Sequence, residues 1–263
     1  MSSPFLVVDS PEIACVSEPG RALTQMVVRG RWNGGLRQEA SRVLRACVAA
    51  SPRVLLVDLT WLQDPAGESV STWHTAALYA KRADSQVMVV LAAPPPAVRR
   101  RLSTGDGDPA VALADTVDAA LAAVSSLDGG IRQHHLALPG QPTASALART
   151  MVGDTCRVFE MEHLTHPARL IVSELVTNAV LHAGTDLEVW ASVRGAALYL
   201  AVQDRSRDFP QLLDAGHRHP AGFPESGMGL QVVTATATTW GALSCRRGKV
   251  VWATLATSAG RAS

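Results

Sequence analysis

The sequence predicts an α/β protein of two domains, and three observations lead there. The length of 263 residues holds two ordinary domains, at about 100–200 residues each. In the first half, apolar runs of strand character alternate with stretches of helical period, the order of an α/β sandwich. In the second half, two helical segments precede two strand pairs, after a Ser-Ser-Leu-Asp-Gly-Gly stretch at residues 125–130 that reads as a linker. The boundary is expected near Asp128, with domains over 1–127 and 128–263.

Each element follows from local pattern. Leu36, Ala40, Val43, Leu44, Cys47 and Val48 lie on one face of a helix. Val54-Leu55-Leu56-Val57 and Val87-Met88-Val89-Val90-Leu91 are short apolar runs rich in β-branched residues, as in strands covered on both faces. Between them, Ala66 to Asp84 reads as a helix with Val70, Trp73 and Ala77 on one side. A further helix is expected from Asp115 as N-cap, with Val117, Ala120, Leu121 and Val124 on one face.

Beyond the linker, helices are expected over Thr143 to Glu160 and His166 to His182, the second with Thr165 as N-cap and Pro167 in its first turn. Asp186 to Val193 and Ala197 to Asp204 alternate as a hairpin turning at Arg194-Gly195-Ala196. Leu243 to Arg247 and Val250 to Leu255 form another around Gly248. Asp204 to Gly227, rich in Pro and Gly and without apolar period, is an irregular loop of the kind that often carries function.

Composition excludes several classes of function. Apolar residues make up 47% and charged residues 18%, a globular balance, and 24 basic against 23 acidic side chains leave a net charge of +1. That near-neutrality gives no electrostatic footprint for nucleic acid and no pull toward anionic membranes. The run Val87 to Ala93 is too short to span a bilayer, and Met1-Ser2-Ser3-Pro4 lacks the basic and apolar regions of a secretory leader. Cys15, Cys47, Cys156 and Cys245 form no CxxC pair and are expected as reduced thiols in a cytoplasmic protein. His134-His135 falls in the expected linker and reads as a solvated pair.

The helix His166 to His182 turns Leu170, Ile171, Leu175, Val176 and Ala179 toward a core, while Glu174, Asn178 and His182 recur at i, i+4 and i+8 on another stripe. Spacing alone fits the solvated side of any amphipathic helix. The remainder of the half-chain adds weight to a functional stripe: a strand ending in Asp204, an irregular loop, and Gly227-Met228-Gly229-Leu230 opening another apolar segment.

Ser173-Glu-Leu-Val-Thr-Asn178-Ala-Val-Leu-His182-Ala-Gly, Val202-Gln-Asp204-Arg-Ser206 and Gly227-Met-Gly229-Leu together resemble the three nucleotide-binding boxes of the GHKL (histidine kinase-like) ATPases. The likeness is closest to the anti-sigma regulatory factor serine/threonine kinases of bacterial partner-switching systems. It covers about residues 132–257, with Trp240-Gly241 and Gly248-Lys249-Val-Val-Trp252-Ala as flanks. The resemblance implies ATP and Mg²⁺ as cofactors and a mixed sheet covered by helices. It implies that Asn178 coordinates Mg²⁺ through its amide oxygen, a donor that hard cations prefer. It makes Glu174 the general base and Asp204 the acceptor of the adenine amino group. Gly227, Met228, Gly229 and Leu230 would line the phosphates at a helix N-terminus. Ala179, His182 and Ser206 complete the nucleotide-binding set; for His182 a helix-end structural role stands equally open.

Two departures mark this chain. Arg205-Ser206-Arg207 follows the Asp where the family often has glycines, and Val250 stands where it commonly has Thr, which implies loss of a polar contact to the base. Propensity also conflicts with resemblance over Gln231 to Trp240, a β-branched run that the likeness makes a helix.

Residues 5–124 resemble STAS domains, the fold of the anti-sigma factor antagonists, through Val57-Asp58-Leu59-Thr60 and Asp64-Pro65-Ala66-Gly67. Pro65 and Ala66 occupy the places of the acceptor hydroxyls, so phosphoryl transfer to them is chemically excluded, and Ser69 and Ser71 read as surface serines. The combination implies a kinase that phosphorylates a separate STAS-domain antagonist. The alternative is a non-catalytic, nucleotide-gated module that sequesters a sigma factor or antagonist, and a third reading is a sensor whose STAS half binds a small ligand. Related ATPase domains often dimerise, which leaves a homodimer open.

Overall fold

The structure, a computed structural model, describes residues 4–82, 87–103, 111–127, 131–210 and 229–256. It is an α/β protein of two compact units, one spanning Val7–Ile131 and the other Arg132 onward together with the N-terminal segment through Leu6. The division therefore falls slightly beyond Asp128, and the chain start belongs to the C-terminal unit, because its strand β1 (Phe5–Leu6) pairs there.

The N-terminal unit contains β2 (Ile13–Glu18), β3 (Leu23–Arg31), α1 (Gly34–Ala49), β4 (Val54–Gln63), α2 (Val70–Arg82), β5 (Met88–Ala92), α3 (Pro96–Ser103), β6 (Ala112–Ala114) and α4 (Val117–Ser125). Its sheet runs β2-β3-β4-β5-β6, with β3 to β6 parallel and β2 antiparallel at one edge. Leu23, Val54, Leu56, Val90 and Ala92 meet Ala120 of α4 on one face. Their neighbours Leu55, Val57, Val89 and Leu91 are buried on the other, where α1 packs on β3 and α2 on β5. Both faces are covered, which is why β4 and β5 read as unbroken apolar runs. Asn33 caps α1 by accepting the Leu36 N–H at 3.0 Å. The thiols of Cys15 on β2 and Cys47 on α1 meet at 3.8 Å, and that contact, with burial, pushes the Cys15 thiol well above its ordinary value.

Three expectations are corrected here. Thr116, not Asp115, caps α4, its hydroxyl accepting the Ala119 N–H at 3.0 Å, while Asp115 pairs with Arg99 at 2.8 Å. Helix α2 starts at Val70 rather than Ala66, because the buried Asp64 carboxylate takes the N–H groups of Glu68 and Ser69, each at 2.9 Å, in a turn where Gly67 has φ +67°. Ser69 is buried rather than superficial, and accepts the Trp73 indole N–H at 2.9 Å. Ser71 is exposed.

The C-terminal unit contains β7 (Gln133–Leu138), α5 (Ala144–Val158), α6 (Thr165–Ala183), β8 (Leu187–Arg194), β9 (Ala197–Asp204), α7 (Gly229–Thr236), β10 (Thr239–Cys245) and β11 (Gly248–Ala256). Its sheet runs β1-β10-β11-β9-β8-β7, antiparallel throughout except for β1, which lies parallel to β10. Leu198, Leu200 and Val202 of β9 and Val251, Ala253 and Leu255 of β11 form one core with α5, α6 and α7. His134 and His135 are strand residues, not linker: His134 meets the Thr155 hydroxyl at 2.9 Å and His135 the Glu188 carboxylate at 3.4 Å. Thr165 is the first residue of α6 rather than its cap, because a 3-10 turn at Glu162–Leu164 runs straight into the helix. The Gln231 to Trp240 stretch divides, helical through Thr236 and extended from Thr239. Burial of Leu230 and Val233 overrides β propensity in its first part.

Burial raises the Asp64 pKa, but hydrogen bonds from Ser69, Glu68 and Gly67 outweigh it and hold the carboxyl below its usual value. A depressed carboxyl contributes stability above the unfolded pKa and loses it as pH falls through the folded one. Asp64→Asn is therefore expected to lower the melting temperature at neutral pH, with the gap to wild type closing below about pH 4; a constant gap in melting curves across that range refutes the assignment. At Gly241, an added Cβ would lie 2.2 Å from the Phe5 carbonyl oxygen and 2.9 Å from the Trp252 ring. Gly241→Ala should cost about 1–3 kcal/mol in urea denaturation by prising β1 from β10.

Candidate functional site

Helix α6 is the scaffold of the site. Ala168, Ile171, Val172, Leu175, Val176 and Ala179 are buried against the sheet and α5, and α6 also packs on β9 and α7. Leu170, expected in the core, is 37% exposed, because it lies one step around the helix from the contact stripe. The position of α6 is pinned to α5 by polar contacts: Arg149 of α5 donates to the Ser173 hydroxyl at 2.9 Å, and Arg169 donates to the Arg149 carbonyl at 3.1 Å. The Arg169 guanidinium occupies the space where a Cβ on Gly153 would be, so a side chain there would displace it.

Glu174 and Asn178 stand one turn apart, both half-buried, and face the start of α7. A Cβ built on Gly229 would come within 2.5 Å of Glu174 Oε2 and 3.7 Å of Asn178 Nδ2. The first backbone N–H groups of α7, which a helix leaves without internal partners, thus begin directly against this pair. Asn178 Nδ2 is shielded from solvent and has no hydrogen-bond partner among the described residues. A buried amide end without a partner is costly. Turning that amide by half a rotation places its oxygen at the same point, an oxygen donor beside a carboxylate and a helix N-terminus.

Asp204 ends β9 and is 2% exposed. Lys249, directly opposite on β11, is 5% exposed and holds its ammonium 2.9 Å from both carboxylate oxygens. The Ser206 N–H donates to Asp204 Oδ1 at 2.8 Å, and the Ser206 hydroxyl accepts the Asp208 N–H at 3.1 Å, closing a tight polar turn. Strand pleating puts Asp204 and Lys249 on the face of Val202 and Val251, toward the helices. Val250, opposite Gln203, is on the other face. The buried pair of Asp204 and Lys249 was missed in the sequence, where only the register of β9 with β11 joins residues 45 positions apart.

The remaining expected residues are placed as follows. Ala179 and Leu230 are buried in the core and offer no side-chain polar group, and His182 is exposed in the last turn of α6. Gly227, Met228 and most of the irregular loop lie outside the described residues. A cleft of about 350 Å³ at the strand ends is lined by Asp186, Glu188, Gln203, Asp204 and Arg247 among others. Glu188 and Gln203 oppose each other on the face away from the helices, and neither Glu174 nor Asn178 lines this cleft.

No protein-family model matches the chain, and no curated protein matches it. Among the described residues no cluster of three or more His, Cys, Asp or Glu could hold a metal, and no helix is long and apolar enough to cross a membrane.

The ion pair generates a stability prediction. Lys249→Met leaves a buried carboxylate without its counter-ion and should cost about 3–5 kcal/mol. The double variant Asp204→Asn/Lys249→Met should recover most of that loss, because no charge remains buried. Urea denaturation of the wild type and the two variants tests this; equal stability of single and double variants refutes a buried, coupled pair.

Proposed function

We propose that the C-terminal unit binds ATP with Mg²⁺ and acts as a serine/threonine kinase of the anti-sigma type, phosphorylating a STAS-domain antagonist. The observation that carries this reading is the meeting of Glu174, Asn178 and the Gly229 end of α7, brought together from separate segments. The partnerless Asn178 amide fits a site whose remaining ligand comes from outside the chain. Bound ATP would supply an activated γ-phosphoryl group. Asn178 would offer its amide oxygen to the cation, and the N–H groups at the start of α7 would hold phosphate oxygens. Glu174, adjacent to both, is the group placed to accept the proton of an incoming hydroxyl. The acceptor would belong to another molecule, since Pro65 and Ala66 stand at the places that the resemblance gives to the acceptor and carry no hydroxyl. Transcriptional partner switching in the cytoplasm follows from the same resemblance and is part of this proposal.

A second reading, a nucleotide-gated module that sequesters a sigma factor or antagonist without phosphorylating it, is favoured by that missing acceptor in the chain itself. Glu174→Ala separates the two: under the first it abolishes phosphoryl transfer while nucleotide and partner binding persist. Under the second there is no transfer to lose.

Isothermal titration with ATP and Mg²⁺ tests the shared step. Binding is expected in the wild type and should weaken about tenfold or more in Asn178→Ala, the loss of a contact to a charged group. Absence of binding at millimolar ATP overturns the proposal.

A further inference from the structure

The buried pair of Lys249 and Asp204 has unspent hydrogen-bonding capacity. An ionised carboxylate accepts about four hydrogen bonds and an ammonium donates three. Asp204 Oδ1 receives Ser206 N–H and Lys249, and Oδ2 receives Lys249 alone. At least one acceptor site on Oδ2 is therefore open. Among the described residues the Lys249 ammonium meets only the two Asp204 oxygens, which leaves at least one of its N–H groups without an acceptor among them on a side chain 6% exposed. Leaving donors unmade on a buried charge is costly. An apolar pair of similar volume at these positions would be as stable or more so, so packing alone does not account for it.

The open valences have a definite chemical form: one acceptor and one cationic donor, side by side at the end of a strand pair. The six-position edge of adenine has the complementary order, an amino donor next to the N1 acceptor, whereas guanine has a carbonyl next to an N1–H donor. Resting on the ATP reading above, we propose that Lys249 is a specificity-determining residue that donates to adenine N1 while Asp204 accepts from the 6-amino group. Ser206 fixes the rotation of the carboxylate and so keeps Oδ2 as the open oxygen. The pair thus does two things at once: each charge neutralises the other on folding, and their remaining valences read the base. The inference differs from the family expectation given above, in which the carboxylate alone selects the base.

The test uses the full chain and nucleotide analogues, measuring affinity by isothermal titration in the presence of Mg²⁺. ATP is compared with 1-deaza-ATP, which lacks only N1, and with purine riboside triphosphate, which lacks only the 6-amino group. Each analogue should bind the wild type roughly ten- to a hundredfold more weakly than ATP, as expected for losing a hydrogen bond to a charged group. In Asp204→Leu/Lys249→Met, which leaves neither a charge nor an amide to read the base, the ratio of ATP to 1-deaza-ATP affinity should fall to about one. This is the variant expected to keep its fold, and melting curves check that it does; the wild-type comparison stands whatever the variant does. Wild-type protein that binds ATP and 1-deaza-ATP equally overturns the role of Lys249 while leaving the ATP site intact. Discrimination that survives in the folded double variant overturns it too. Failure to bind ATP at all overturns the ATP reading and this inference together.

Discussion

The buried ion pair between Asp204 and Lys249 is the constraint on which the C-terminal sheet turns. Two opposite charges taken out of water destabilise the fold unless they meet in good geometry. Their meeting requires β9 and β11 to hold one register, because a shift of one residue would put Lys249 on the opposite face. The neighbouring Gly248, at φ +140°, secures the same register by a different means: a Cβ there would fall 2.1 Å from the Asp204 carbonyl oxygen. Charge and close approach thus specify the same alignment, and Val202 with Val251, Leu200 with Ala253 and Leu198 with Leu255 then pair into the core beneath the helices.

Position along α6 is a separate constraint with a separate solution. An apolar stripe restrains rotation of a helix better than sliding, since neighbouring ridges offer similar grooves. Directional contacts remove that freedom here. Arg149 reaches the Ser173 hydroxyl, and Arg169 fills the space above Gly153 while donating back to the Arg149 carbonyl. Ser173 immediately precedes Glu174, so the clamp acts one residue from the site. The distance from Glu174 to the Gly229 end of α7 consequently depends on the packing of α5.

The edges of the C-terminal sheet account for the place of residues 5 and 6. An open edge strand offers unpaired backbone groups to other chains. In the C-terminal sheet one edge is β7, a strand with His134 and His135 in its middle, polar enough to discourage further pairing. At the other, β10 is covered by the two residues of β1, with Phe5 stacking on Trp252 at 6.4 Å between ring centroids. Gly241 makes this possible, since any side chain there would collide with the covering strand. A short cap suffices because it needs to satisfy only the groups it covers.

How far the sequence revealed this arrangement depended on the range of each interaction. Periodicity located α1, α6, β4, β5, β8 and β9, because burial on one or both faces leaves its mark within a few residues. It also brought out the Glu174 and Asn178 stripe, since i, i+4 neighbours are adjacent in sequence and space alike. Strand β7 was lost among polar residues because an edge strand, with one side unpaired, need not alternate cleanly. The start of α2 was misplaced for a local reason of another kind, a carboxylate at Asp64 that competes for the N–H groups of Glu68 and Ser69 before the helix can use them. The Lys249 and Asp204 pair left no local mark. A single Lys after a glycine in a closing strand carries no period, and its significance arises only when antiparallel pairing puts it opposite an acid already withdrawn from water. What distinguishes that lysine from a solvated one is register, and register is a property of two strands rather than of either alone.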